Sequence, residues 1–284
     1  MQYNQQTLRR LQLAELGILE DVDRVCREHG ITYFLDSGTV LGARRHGGFI
    51  PWDDDIDIGM PRADYEKFLE IAPIALDDRY CVTTPHTNER QAALFAKVML
   101  AGTRFETDET QEAGFNQGVF IDVFPYDALC EDSFNSKRQR RRCLLWQSLS
   151  YLNHSQYIVV PHNGALGTVE RIGCRIAHRV VKMFFSVQRI NAGFDAAATM
   201  ARGNRETQWL ISSAYASDGP FPVDILLPPS EIEFGGRSFP APADVEGYLR
   251  VQYGETWDQL PPEDQRRNHA PKVLDLGDCL RVKG

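Results

Sequence analysis

Four aspartates, Asp53, Asp54, Asp55 and Asp57, fall within five positions of the segment LDSGTVLGARRHGGFIPWDDDIDIGM, residues 35–60. If Asp55-Ile56-Asp57-Ile58 is a strand, its side chains alternate, so Asp55 and Asp57 share one face while Ile56 and Ile58 point to a core. Asp53 joins that face if the strand starts early, and Asp54 points elsewhere. Two carboxylates held that close repel each other. A divalent cation that favours oxygen ligands, Mg²⁺ (or Mn²⁺), relieves this and can bridge to a phosphate. Upstream, Ser37 and Gly38 offer an amide and a hydroxyl to a phosphate at a helix start, with Arg44, Arg45 and His46 as neighbouring positive or donor groups. An acidic run can also be a solvated loop, but the alternation behind a small-residue turn argues for a site.

The elements that must hold these residues follow from pattern. Leu8, Leu11, Ile18, Val22 and Val25 recur at helical spacing over residues 7–29, with Gly30 as the stop, which predicts a packing helix without chemistry of its own. Residues 31–35, ITYFL, read as a strand that delivers the chain to Ser37 and Gly38. A helix is expected from Arg62, and strands at 80–84, 93–100 and 104–106, the last returning after a turn at Ala101-Gly102. Lys97 sits inside the apolar run ALFAKVML. It either snorkels from an edge strand or reaches into the site as a phosphate ligand. In GVFIDVFPYD, residues 118–127, Asp122 interrupts a buried strand pattern. An unpaired buried carboxylate costs several kcal/mol, about 3–5, so Asp122 needs a partner. A salt bridge or cap would serve, but the preferred placement faces Asp55 and Asp57 from an adjacent strand, as a third metal ligand or as general base toward a hydroxyl.

Composition bounds the rest. With 284 residues, 43% hydrophobic and 25% charged, the chain is of ordinary globular type and can bury a full core. A net charge of -8 argues against a general nucleic-acid partner. Six cysteines without a C-x-x-C pair suggest neither a zinc site nor a disulfide framework, and most sit among apolar neighbours. Residues 1–10 are polar and no apolar run spans a bilayer, so a cytoplasmic location is expected, with peripheral contact at the inner membrane face as an addition. That addition comes from residues 137–189, which carry +9 while the remainder sums to -17. Arg171, Arg175, Arg179 and Lys182 share a helical face beside Ile172, Ile176, Val180 and Phe184. The plainer expectation is a helix packing this stripe on the core; the other is membrane contact through residues 171–187. Residues 157–168 read as a loop, 192–201 as a helix, 209–215 as a strand, 225–240 as proline-bounded short strands with a hairpin candidate at Gly235-Gly236, and 244–253 as a helix. In the tail, Arg267 and His269 can meet a phosphate.

The run FLDSGTVLGARRHGGFIPWDDDIDIGMPRADYEKF resembles the signature of the LicD family, which includes the catalytic domains of fukutin and fukutin-related protein. FIDVFPYD resembles its second block, and FGGRSFPAPADVEGYLRVQYGETWDQLPPEDQRRNH its C-terminal block. The resemblance implies an α+β fold: a nucleotidyltransferase-like mixed β-sheet core flanked by helices, with a helical basic middle insertion. Residues 1–130 would form the catalytic core, 131–200 the insertion, and 201–284 the part that completes the catalytic domain. It implies a Mg²⁺-dependent transferase that takes phosphocholine, ribitol phosphate or a related phosphoalcohol from a CDP-linked donor and places it on a sugar hydroxyl of a glycan or lipid-linked glycan. Asp55 and Asp57 match the metal-binding D-x-D, Asp122 the third acidic position, Ser37 and Gly38 the small-residue loop, and Arg45 and His46 the R-H-G. Sixteen residues lie between Gly38 and Asp55, more than the common superfamily interval. The cysteine-ligated zinc element of the animal relatives has no counterpart, so no structural zinc is expected. Two alternatives stay open: a nucleotidyltransferase releasing pyrophosphate, and a non-catalytic glycan-binding protein.

Overall fold

The computed structural model describes residues 3–157, 164–203, 207–266, 268–269 and 271–277. In chain order the elements are α1 (Gln5–His29), β1 (Phe34–Leu35), α2 (Ser37–His46), β2 (Asp57–Pro61), α3 (Arg62–Ala75), β3 (Tyr80–Thr83), β4 (Ala96–Leu100), β5 (Arg104–Glu106), α4 (Asp108–Ala113) and β6 (Phe120–Ala128). They continue as α5 (Ser133–His154), α6 (Gly164–Phe184), α7 (Val187–Ala198), β7 (Trp209–Ser212), β8 (Phe221–Pro222), α8 (Val223–Leu226), β9 (Ser230–Phe234), β10 (Arg237–Ala241), α9 (Val245–Tyr253) and β11 (Val273–Asp275). The α+β class read from the sequence holds, with a mixed sheet at its centre.

The sheet runs β1-β2-β6-β4-β3, and β7 pairs with β6 and carries β8. β6 is its spine. It runs parallel to β2 and antiparallel to β4 and β7, and all its residues but the last are buried, as a strand covered on both faces should be. α1 begins at an Asn4 cap and ends at Gly30, whose φ of +59° gives the left-handed turn that stops the helix. Its apolar stripe (Leu11, Ile18, Val22 and Val25) is sealed from solvent against β4 and β6. α3 is fixed to β6 by a buried two-pronged ion pair, Arg62 Nε and Nη2 donating to the two oxygens of Asp127 at 2.7 Å each.

Several expectations shift. The β1 strand is only two residues long, and β2 begins at Asp57, two residues later than expected. β5 does not return onto β4; it pairs with β11 in a separate small sheet. The strand expected over 209–215 ends at Ser212 and tightens into a 3₁₀ turn, Ser213–Tyr215. Thr168, expected in a loop, lies inside α6, and residues 158–163 of that loop lie outside the described residues. Of the five described cysteines only Cys26 and Cys143 are buried, so most are not core residues. The apolar stripe of α6 does not pack on the core: Ile172, Ile176, Val180 and Phe184 are 51%, 59%, 46% and 63% exposed. The helix instead leans on α5 along another line, which includes buried Val181 and His178, whose ring Nδ1 meets the Leu152 carbonyl at 2.8 Å.

Candidate active site

Register builds the site. Asp57 on β2 stands opposite Asp122 on β6, and Asp122 stands opposite Lys97 on β4, so the three form one row across the centre of the sheet. Asp57 is anchored through its N–H, which donates to Thr39 Oγ1 of α2 at 2.8 Å. Just before β2 the chain carries no ladder, yet the alternation persists: Asp53, Asp55 and Asp57 are half-buried while Asp54, Ile56 and Ile58 are buried. Asp53 therefore joins the shared face, and its Oδ2 lies where a Cβ on Gly38 would come within 3.0 Å. Only glycine leaves the first turn of α2 that close to a carboxylate.

Electrostatics mark this face as short of positive charge. Burial, then the charges of Asp55, Asp122, Asp36 and Asp53, push the Asp57 carboxyl well above the usual range. Burial and the charge and hydrogen bond of Asp55 do the same to Asp53. Asp122 is raised by burial, against the pull of Lys97, whose Nζ donates to Asp122 Oδ1 at 2.6 Å. Lys97 does not snorkel from an edge: β4 has neighbours on both sides, and the side chain is buried with its ammonium 3.7 Å from the centre of the Phe120 ring.

Asp54 faces away, as parity requires, and has its own work. It accepts from Tyr3 Oη at 2.7 Å and from the His269 amide at 2.8 Å, with the His269 ring Nδ1 at 3.1 Å. Burial opposes the charge on Asp54, but these His269 contacts outweigh it and hold the carboxyl below the usual range. Burial likewise works to lower the half-exposed imidazole, and the bond with Asp54 and the charges of Asp55, Asp54 and Asp122 raise it to about 9. His269 is therefore a cation at neutral pH, clamping the C-terminal segment over the aspartates. Among the described residues, Asp54, Asp55 and His269 are the three whose metal-ligating atoms lie within 4.8 Å of one another. That set is already an ion pair. Arg267 lies outside the described residues.

The small-residue turn is built but occupied. Ser37 adopts φ +45°, rare for a side-chain-bearing residue, and its N–H donates to Asp36 Oδ1 and to Tyr248 Oη, both at 2.9 Å. Arg45 and His46 are not brought to the aspartates. They lie in the last turn of α2, roughly 12 to 14 Å along the axis from Ser37 at about 1.5 Å per residue. Arg45 Nη1 donates instead to the carbonyls of Trp257 and Gln259, tying down the chain after α9. His46 is exposed.

Beside the Lys97–Asp122 pair opens a cavity of ≈ 130 Å³, walled by Phe95, Phe105, Phe120, Tyr151 and Tyr215, with Glu109 and His269 at its margin. Its aromatic walls come from five separate stretches of chain, so sequence order alone gives no hint of them. Glu15, fully buried in α1, was also missed. The available signal was a charge at an apolar position of the stripe, between Leu11 and Ile18.

Residues 30–164 match the family model described as LicD/FKTN/FKRP, nucleotidyltransferase domain. The lipopolysaccharide cholinephosphotransferase LicD of Haemophilus influenzae is 37% identical over 277 residues, 95% of this chain and 98% of that one. The human ribitol 5-phosphate transferase FKRP is 55% identical over 31 residues, 11% of this chain and 6% of that one.

Proposed function

The chain belongs to the LicD family, and from that premise we propose that it is a metal-dependent phosphotransferase, moving a phosphoalcohol from a CDP-linked donor to a sugar hydroxyl of a glycan or lipid-linked glycan. The observation that carries this reading is the row Asp57-Asp122-Lys97 with Asp53 and Asp55 on the same face. Carboxylates whose ionisation is opposed chiefly by burial and by one another suit a hard divalent cation, Mg²⁺ or Mn²⁺, rather than a softer metal. Asp53, Asp55, Asp57 and Asp122 would hold it, and when bound it supplies charge neutralisation for the diphosphate and its leaving oxygen. Lys97 fixes Asp122 through Oδ1 and keeps it oriented toward the reacting phosphorus and the acceptor hydroxyl. His269, cationic and half-exposed, steadies the phosphate that departs with the nucleoside. CMP is the product released.

The cavity favours phosphocholine among phosphoalcohols, because Lys97 takes the Phe120 face but Phe105, Tyr151 and Tyr215 remain to attract a quaternary ammonium, with Glu109 as an acid on the same lining. This agrees with what the Haemophilus relative's name says of that protein. The test is a screen of CDP-choline, CDP-ribitol, CDP-glycerol and CDP-ethanolamine for Mg²⁺-dependent thermal stabilisation, followed by product analysis. CMP release supports the reading and pyrophosphate release replaces it with nucleotidyl transfer. Asp57→Asn and Asp122→Asn abolish transfer in folded protein; full activity in either sinks the assignment.

A second surface bears on the acceptor. Among the described residues no helix is long and apolar enough to cross a membrane. α6 exposes Leu166, Val169, Ile172, Ile176, Val180 and Met183 along one side, with Arg171, Arg175, Arg179 and Lys182 exposed a quarter-turn away. This is the composition of a helix lying in an anionic bilayer surface, apolar side down and cations at the phosphates. It fits a peripheral enzyme at the cytoplasmic membrane face working on a lipid-linked glycan. Vesicles containing phosphatidylglycerol should sediment the protein and pure phosphatidylcholine vesicles should not; Ile172→Asp with Ile176→Asp should abolish the difference. Equal sedimentation of that variant removes α6 as the contact.

A further inference from the structure

Of the acids in α1, Glu15 alone faces inward, and it is 0% exposed. Both carboxylate oxygens are sealed from solvent without a hydrogen-bond donor on either. Its location is fixed by Gln12, one turn earlier on the same face, which donates from Nε2 to the Asp53 carbonyl at 2.9 Å. After burial itself, the largest influences on Glu15 are the charges of Asp55, Asp54, Asp53 and Asp122, in that order and all of its own sign. A helix that needed only to pack would carry a leucine here, as it does one turn earlier at Leu11. A buried acid held against other acids, with no donor, is a group whose partner arrives from outside the chain.

We infer that Glu15 belongs to the cation site, joining from beneath the aspartates as a carboxylate that a divalent ion held by Asp53 and Asp55 engages directly or through one water. The inference rests on the metal reading proposed above. It makes α1 a working part of the site. The cation then relieves two problems at once, the repulsion along the shared face and the orphaned acid under it, so metal binding and consolidation of α1 on the sheet are coupled.

The test is Mn²⁺ binding to the full chain, read by calorimetry and by the Mn²⁺-induced rise in melting temperature, in wild type and Glu15→Gln. The glutamine keeps the shape and removes the charge. Expected are a Mn²⁺ affinity lower by roughly 10- to 100-fold, the scale for losing a group that supports a metal site, and a melting temperature in chelator above that of wild type. Unchanged Mn²⁺ affinity in Glu15→Gln overturns the inference and leaves the aspartate site standing. Absence of Mn²⁺ binding by wild type overturns both. Should Glu15→Gln not fold, Glu15→Asp keeps the charge and shortens the reach by one methylene; Mn²⁺ affinity equal to wild type in that variant overturns the inference as well.

Discussion

Replacing Lys97 by methionine isolates the one buried cation of the central row. The stem that lies on Phe120 is kept and the ammonium 2.6 Å from Asp122 is lost. Asp122 then remains at 7% exposure, opposite Asp57 and with the Asp55 charge nearby. Removing one partner of a buried pair costs about 3–5 kcal/mol, because the surviving charge has neither water nor counter-ion. Against a total stability of about 5–15 kcal/mol, that is a large share. Urea unfolding in chelator at neutral pH measures it as a fall in midpoint at unchanged slope. The double variant Lys97→Met with Asp122→Asn should recover most of the loss, since it removes the stranded charge. Saturating Mg²⁺ should narrow the Lys97→Met deficit, because a bound cation replaces the missing one; at a hundredfold excess over Kd a ligand adds about 2.7 kcal/mol. A loss under about 1 kcal/mol, the scale of an exposed pair, or a double variant as unstable as the single, refutes the reasoning.

Two further perturbations probe what holds the row in place. Burial raises Asp36 to about 6 from an ordinary 3.8, against the hydrogen bonds from Tyr248, Tyr126 and the Ser37 amide. The folded chain thus holds this proton more tightly than the unfolded chain, so its stabilising share is complete below pH 3.8 and is lost as pH rises through about 6. Tyr248→Phe removes one donor, should cost about 1–3 kcal/mol and should move that decline to higher pH; an unmoved decline in urea midpoints across this range would be contrary. Gly59, in the middle of β2, lies where a Cβ would fall 2.5 Å from the Phe34 ring and 2.7 Å from that of Tyr126. Gly59→Ala should therefore destabilise by about 1–3 kcal/mol, and a melting temperature equal to wild type would show that the two rings yield.

Period and parity made much of this legible in the sequence. Alternation separated Asp55 and Asp57 from Asp54, and it outran the strand itself, because extended backbone alternates whether or not a ladder forms. Asp122 was found by asking why a charge should interrupt an apolar strand. Applied at Lys97, the same question left two answers open, and the structure supplies another: a counter-ion for Asp122 from the next strand. Whether β4 lies at an edge or in the centre is decided by β3 and β6 pairing on its two sides, which no local pattern records. Glu15 was passed over because α1 also carries Glu20, Asp21, Asp23 and Glu28, and one inward acid among exposed ones leaves the helical period intact. Position in the stripe would have found it: Leu11, Glu15, Ile18 and Val22 follow the spacing of a single buried face. Arg45 and His46 erred in the other direction. They are near Ser37 in sequence, but α2 carries them about two and a half turns beyond Ser37, so proximity in the chain became distance in the fold. In this chain the informative charges are those at positions where the period demands an apolar residue, and each of Asp122, Lys97 and Glu15 is one of these.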